Sequence, residues 1–340
     1  MSDSQEYTIS QTMRAIALQQ PSEQINLVDI EIPVPECFDN ELLVKVEAVG
    51  LNPRDAKFAQ TGFCNTWKAP HVVGIDAVGV VVKSNKGVFP EVGQRVMWHA
   101  NISGPGVLSE YTKVPNFAVS VVPESITANQ AATIPCAGMA TLIALEKLQI
   151  IEGTTLLVEA GAGAVGQFAI QLAKQRGADV FTTASKRNHK LVKKLGADAI
   201  FDYKDRKLCE KMSRELGAQG FDAVLDTVGG ESTIRNIELM RFSGRIACFK
   251  PLPTFEQRLL DKKAPNIGII SLCGAWLANS LCAQQKMSFM GNLLLENVAK
   301  GNIKLPEISV VDFNANSVSV ALHKQIAGGF TGKQVVQIRV

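Results

Sequence analysis

The chain reads as an α/β protein, with a doubly wound parallel sheet in its middle and β-rich segments on either side. Three observations lead there. At residues 155–176 an apolar strand, a glycine turn and an amphipathic helix meet without a gap. From about residue 126 to 274, apolar strand candidates alternate with helical stretches, the pattern of a parallel sheet covered on both faces. Ahead of residue 125 the apolar runs are short and separated by Gly, Pro and Asn, which predicts a mostly β, barrel-like domain.

In chain order, the first segment offers strand candidates at Leu42–Val46, Val72–Val82, Gly93–Met97 and Tyr111–Pro115. The middle offers six: Leu156–Glu159, Val180–Thr183, Ala199–Phe201, Ala223–Thr227, Arg245–Phe249 and Gly268–Leu272. Six such strands match an open parallel sheet with ligand at the strand ends. The remainder predicts a helix ending near Gly301, a strand at Ile308–Val311, a helix near Ser317–Ile326 and a closing strand at Val335–Val340. No internal repeat or low-complexity linker interrupts this order, and Pro251–Pro253 with the charged Glu256–Lys263 stretch reads as an exposed loop.

A length of 340 residues allows two substantial cores, and 46% hydrophobic with 20% charged residues is ordinary for a soluble protein. A formal charge of +3, with no basic stripe interleaved with aromatics, argues against a nucleic-acid partner. The start, Met1-Ser-Asp-Ser-Gln-Glu-Tyr7, is polar and acidic, so no signal or transit peptide is expected and a cytoplasmic location follows. Ile267–Ala283 is the nearest approach to a membrane span, but it is short and broken by Gly274, Asn279 and two serines. No membrane role is expected. The seven cysteines are scattered without a C-x-x-C pair, the usage of reduced thiols.

The glycine turn carries the most chemistry. Gly161, Gly163 and Gly166 satisfy G-x-G-x-x-G: the first allows the tight turn, the second lets a phosphate approach the backbone, and the third lets helix and strand pack. Ala164 and Val165 open a helix whose free amides and dipole face the anion. Val165, Phe168, Ala169, Leu172 and Ala173 recur at helical spacing, and Gly177 stops the helix before the next strand. An acid at the end of that strand would bond an NAD ribose and repel a ribose phosphate. In its place Ser185, Lys186 and Arg187 supply a hydroxyl and two cations where the extra phosphate of NADP lies. The same residues also suit a solvated helix start. NADPH is the expected cofactor.

Further motifs run along nearly the whole chain: Val49-Gly-Leu-Asn-Pro-Arg-Asp55, Gly74-Ile-Asp-Ala-Val-Gly79, Val92-Gly-Gln-Arg-Val96, Pro135-Cys-Ala-Gly138, Lys194-Leu-Gly-Ala-Asp198, Asp226-Thr-Val-Gly229 and Gly332-Lys-Gln-Val-Val336. With the glycine turn, they resemble the medium-chain dehydrogenase/reductase superfamily and, within it, the zinc-free quinone oxidoreductase-like branch. The resemblance implies a GroES-like, β-rich catalytic domain from residues 1–125 and the returning 275–340, plus a Rossmann dinucleotide-binding domain at 126–274. It also implies reductase chemistry in the cleft between them, and a homodimer formed through the sheet edge of the cofactor domain.

Alcohol dehydrogenases of this superfamily hold a catalytic zinc with Cys and His, near a Glu. By motif those positions are here Asn52, Ile75 and Asp76; an Ile cannot coordinate, and an amide is a poor ligand. No Cys lies between Cys64 and Cys136, so the structural zinc lobe is missing too, and no metal is expected. Without a Lewis acid, charge on a carbonyl oxygen must be met by hydrogen bonds and solvent, which favours quinones and α,β-unsaturated carbonyls as small-molecule substrates. Simple aldehydes, or a non-catalytic NADPH-sensing role, are the alternatives.

Asn52 would orient the substrate oxygen or serve as the turn residue before Pro53. Asp55 would position a water or cap the helix beginning there. His99 would line the substrate pocket as a proton donor or be a structural histidine. Phe63 falls near the place where enoyl thioester reductases carry a catalytic Tyr, and a phenyl ring donates no proton. In the cofactor set, the resemblance adds Tyr203 beside the adenosine ribose phosphate, unless it is a surface aromatic. It adds Thr141 near the nicotinamide amide, one residue displaced along its helix, together with Val228 and Phe249. The substrate pocket is expected in the loops Thr61–Ala69, Asn101–Val107 and Pro251–Lys263.

Overall fold

The computed structural model describes residues 8–339 except 64–66, 86 and 218. The chain divides into two compact units, residues 1–139 with 272–340, and residues 140–271, so the first division lies inside the helix Pro135–Lys147.

The first unit opens with β1 (Thr12–Leu18) and β2 (Leu27–Pro33), an antiparallel pair absent from the sequence-based expectation. Next come β3 (Glu41–Gly50), β4 (His71–Val72), β5 (Asp76–Lys83), β6 (Arg95–His99), β7 (Tyr111–Pro115) and β8 (Ser120–Val121). The β-branched runs of β3 and β5 suit a central pair buried on both faces, and two register shifts bend it. Leu42, Val44, Val49, Val81, Val96 and Trp98 fill this core at 1% exposure or less.

The second unit holds β9 (Thr155–Val158), β10 (Asp179–Thr183), β11 (Ala199–Phe201), β12 (Phe221–Asp226), β13 (Met240–Cys248) and β14 (Asn266–Ile269). All neighbours are parallel, in the order β11-β10-β9-β12-β13-β14. Counted within this unit the order is 3-2-1-4-5-6, the doubly wound arrangement whose direction reverses between β9 and β12. Parallel pairing forces a crossover after each strand, and the helix Ala164–Gln175 supplies the first with Phe168, Ala169, Ile170 and Ala173 buried.

The chain then returns to the first unit. Ile267–Ala283 is no single helix: it holds the end of β14, a turn of helix at Gly274–Leu277, and the start of a helix, Leu281–Ala299, capped by Ser280. No helix among the described residues is long and apolar enough to cross a membrane. Last come β15 (Ile308–Asp312), the helix Ala315–Ala327 and β16 (Lys333–Gln337), a right-sized crossover that pairs β15 and β16 in parallel. β16 then docks antiparallel on β3, completing the sheet order β15-β16-β3-β5-β6-β8 with β7 also on β3. That docking carries Lys333, the first residue of β16, into the interior.

Candidate active site

In the second unit, the residues expected to hold a dinucleotide gather at the carboxyl edge of the sheet. β9 ends at Val158, and Glu159 follows it, 1% exposed and fixed by Thr183 and by an ion pair with Arg235. Ala160 then takes φ +53° and its N–H donates to Thr183 Oγ1 at 2.9 Å, so the turn is tied to β10. The three glycines do different work. A Cβ on Gly161 would lie 2.0 Å from Thr182 Oγ1, and one on Gly166 would lie 2.5 Å from the Ala160 carbonyl. One on Gly163 would meet only the Ala160 oxygen, at 3.3 Å, and this glycine is exposed. Gly161 and Gly166 are thus needed by the fold, and Gly163 leaves space on the solvent side. The first intrahelical bond runs from Gln167 N–H to Gly163 O, so the amides of Ala164, Val165 and Gly166 have no acceptor within the helix. The donor set and the open glycine fit a pyrophosphate.

Thr183 and Phe201 are the last register partners of β10 and β11, and Ser185 and Tyr203 each lie two residues beyond them in the segments that follow. Lys186, Arg187 and Tyr203 are exposed, and the charge of Lys186 reaches Asp205 in the loop after β11. Val228 and Phe249 follow β12 and β13, where Val228 N–H donates to Asp226 Oδ1 and Phe249 N–H to Asp226 O. Thr141 departs from its expected role: it is fully buried and donates to the Val165 carbonyl at 3.3 Å, which anchors the helix under the glycine turn.

In the first unit, Asp76 is the centre of a buried polar cluster. Its Oδ1 lies 2.8 Å from His99 Nδ1, and its Oδ2 accepts from Asn52 Nδ2 at 2.9 Å and from the Cys136 N–H at 3.1 Å. Lys333 Nζ stands 3.5 Å from the same Oδ2 and donates to Asn52 Oδ1. His99 Nε2 faces Cys273 Sγ at 3.4 Å. Burial pushes the Asp76 carboxyl up, but the His99 hydrogen bond and the Lys333 charge outweigh it and hold the group below the usual carboxylate range. Burial would likewise lower His99; Cys273 and Asp76 reverse this and raise it to about 10, so the ring is an imidazolium at neutral pH.

Two expectations change. Asn52 spends both amide hydrogens, on Asp76 and on the Gly50 carbonyl at 3.1 Å, so it holds the cluster together and has no donor left for a substrate oxygen. His99 is 0% exposed with both ring nitrogens engaged, so it braces Asp76 and lines no pocket. Asp55 keeps half of its expected role: Oδ2 accepts from the Asn52 N–H at 2.8 Å at the start of the helix Pro53–Thr61. Phe63 packs on Phe58 with centroids 4.5 Å apart. Lys333, Cys136 and Cys273 were not foreseen as members of the cluster. In the sequence Lys333 stands between Gly332 and Gln334, just ahead of the apolar closing strand, and carries no local signal of burial.

A zinc ion does not fit this donor set. Asp76, His99 and Cys136 do bring ligand atoms within 4.8 Å of one another. Their lone pairs, however, are taken: the imidazole is protonated, both Asp76 oxygens accept hydrogen bonds, and burial with the Asp76 charge drives the Cys136 thiol far above its ordinary range. A thiol must lose its proton to bind zinc. The Lys333 ammonium already supplies the cation beside Asp76.

The glycines of the turn divide between fold and ligand. Gly163→Val is expected to fold with less than about 1 kcal/mol lost in urea denaturation and to lose NADPH binding in a fluorescence titration, whereas Gly166→Val unfolds at markedly lower urea. Unchanged NADPH affinity in Gly163→Val would remove the anion site. In the cluster, Lys333→Met should destabilise the protein by about 3–5 kcal/mol, because a buried carboxylate loses its cation. Adding Asp76→Asn should restore part of that loss, and a single-variant cost under about 1 kcal/mol would show that Lys333 does not neutralise Asp76.

Comparison with known proteins agrees with this architecture. Residues 39–124 match the alcohol dehydrogenase GroES-like domain, and residues 164–280 match the zinc-binding dehydrogenase domain. The chloroplast envelope quinone oxidoreductase homolog of Arabidopsis thaliana is 30% identical over 325 residues, covering 92% of this chain and 94% of that one. Trans-enoyl reductase tazE of Aspergillus terreus is 35% identical over 196 residues, 52% of this chain and 65% of its own length. An NADPH-dependent alkenal/one oxidoreductase of Arabidopsis thaliana is 37% identical over 214 residues, 59% of this chain and 53% of its own length. The matched part thus spans between about half and two thirds of these last two relatives. Among solved structures, the quinone oxidoreductase from Coxiella burnetii superposes with a TM-score of 0.81 at 29% identity, covering 96% of this chain and all of that one. By its motifs, its sheet topology and these matches, the chain belongs to the medium-chain dehydrogenase/reductase superfamily of oxidoreductases, in the quinone oxidoreductase-like branch.

Proposed function

We propose that this oxidoreductase uses NADPH to reduce quinones or α,β-unsaturated carbonyls, without zinc. The observation that carries the cofactor choice is the end of β10, where Ser185, Lys186 and Arg187 stand and no acid does. An exposed ammonium and guanidinium beside a hydroxyl recognise a phosphate monoester, and they gain nothing from a bare ribose. Tyr203, exposed just beyond the adjacent strand, would supply a flat wall for the adenosine ribose phosphate. Gly163 and the amides of Ala164, Val165 and Gly166 would receive the pyrophosphate, with Val228 and Phe249 further along the same edge.

When bound, the dinucleotide supplies a hydride. What the chain must supply is a place for the acceptor and a way to manage the negative charge that the hydride leaves on oxygen. The cluster around Asp76 offers no Lewis acid, so an unactivated ketone gets little help. A quinone or enone spreads the charge over a conjugated system and needs less. The relatives described as quinone, enoyl and alkenal/one reductases support that substrate class.

The test is NADPH oxidation in chelator with phenanthrenequinone and a 2-alkenal in parallel, and NADH as the cofactor control. Turnover with either acceptor is expected, with the metal-free protein as active as the untreated one. Activity that is lost on chelation and returns with zinc would overturn the zinc-free reading. Lys186→Ala should weaken NADPH binding by about 1–2 kcal/mol, roughly 5- to 30-fold, and leave NADH nearly unchanged. Equal losses for both would take Lys186 out of the phosphate site.

A further inference from the structure

Asp55 has one oxygen that the fold does not use. It sits in the first turn of the helix Pro53–Thr61, 3% exposed, with Oδ2 bonded to the Asn52 N–H at 2.8 Å. Oδ1 is buried and has no hydrogen-bond partner among the described residues. Capping explains only the first oxygen, and an exposed carboxylate would cap equally well, with its second oxygen in water. Here the second oxygen belongs to a residue that lines a small pocket, walled by Phe58, Trp67, His71, Ile75 and Ile102. The walls are well fixed. Trp67 donates its indole N–H to Ile102 O at 2.9 Å and stacks on His71 with centroids 3.8 Å apart. Ile75, another of the walls, is apolar. The loops carrying Trp67 and Ile102 are two of the three expected to form the substrate pocket.

We propose that Asp55 is the substrate-facing acid of this enzyme: its Oδ1–H binds the carbonyl or quinone oxygen that enters the pocket and then gives it the proton. The inference rests on the reductase reading above. For an enone, hydride adds to the β-carbon, and the electron pair of the C=C bond moves toward the carbonyl oxygen. The Asp55 O–H bond breaks as the new O–H bond forms on that oxygen, giving the enol and leaving the Asp55 carboxylate. A solvent proton restores the acid. For a quinone the same two transfers give the hydroquinone.

The surroundings keep Asp55 supplied with its proton. Burial is the largest effect, the Asp76 carboxylate on β5 adds to it, and the Asn52 hydrogen bonds and Lys333 on β16 oppose them, leaving Asp55 raised to about 7. His99, behind Asp76, is committed to that carboxylate. His71 in the pocket wall is lowered to about 4 by burial, so it is neutral and brings no countercharge. The sign follows: the acid is present below pH 7 and lost above it, so turnover falls as pH rises through about 7.

Asp55→Asn tests this, because the amide keeps the size, the cap acceptor and a hydrogen-bond donor but has no proton to give. The expected result is a fall in kcat with a 2-alkenal of about 100-fold or more, an unchanged Kd for NADPH, and loss of the pH limb near 7. A kcat within about threefold of the parent, with the same limb, would leave Asp55 as a cap only. A second measurement needs no turnover: carboxyl carbon-13 NMR of aspartate-labelled protein, assigned with Asp55→Asn, with and without a saturated ketone. Asp55 should titrate near 7 and its signal should shift with the ketone. Titration near about 4 with no response overturns the proposal. If the parent protein reduces neither acceptor while Asp55 still titrates high and answers the ketone, the reductase reading fails and the carbonyl site stands.

Discussion

The first unit is organised around one buried charge. Asp76 begins β5 at 0% exposure, with Gly50 of β3 and His99 of β6 as its register partners. A carboxylate so far from water is costly unless its lone pairs and its charge are both answered. The answers come from four places: the Asn52 amide after β3, the His99 ring, the backbone of Cys136, and the ammonium of Lys333. Lys333 and the sulfur that touches His99 both belong to residues 272–340, while Asp76 belongs to residues 1–139. The electrostatics of one side chain therefore join the two stretches of chain that make up this unit. Hydrophobic packing of β16 on β3 would do so too, but it would not fix the register as strictly, since a one-residue slip moves Lys333 to the other face.

The second unit is organised by closeness instead of charge. Gly166 allows the helix Ala164–Gln175 to approach the end of β9, and Gly161 allows the turn to pass beneath Thr182 of β10. The buried Glu159, held by Thr183 and Arg235, keeps the end of β9 from fraying. Thr141 secures the same turn from the neighbouring helix. None of these groups needs to touch a ligand. They hold the turn in the shape that leaves Gly163 and three amides open, which is the preorganisation an anion site requires.

How far the sequence could be read follows from this difference. The strand, glycine turn and helix of residues 155–176 were legible because they lie next to one another in the chain and each leaves a local mark. β7 and β11 fall where the apolar runs placed them, and β12 and β13 extend two and five residues further toward the N-terminus. β1 and β2 were passed over. β2 alternates half-buried and exposed residues across Asp29 and Glu31, and such a strand declares itself only beside its partner. The polar cluster was hardest. Lys333 meets Asn52 across 281 residues and Cys273 meets His99 across 174, separations over which no local pattern survives. Asn52, Asp55 and His99 were singled out by motif, but what each spends its hydrogen bonds on is a property of the packed interior.

That expenditure is also what assigns the chemistry. A residue whose every donor and acceptor is engaged inside the fold can hold a site but cannot serve a substrate without breaking what it holds. Asn52 and His99 are in that position. Asp55 differs from them by one atom, Oδ1. The same Asp76 charge that Lys333 and His99 compensate sits close enough to Asp55 to discourage a second carboxylate. Two acids in one interior cannot both ionise cheaply, and the one with the cations takes the charge. The other is raised to about 7 and, with no partner for Oδ1 among the described residues, holds a proton below that pH. On the proposed reading, a Brønsted acid would take the place of a Lewis acid, and the acceptors it suits would be those whose oxygen needs a proton more than it needs a metal.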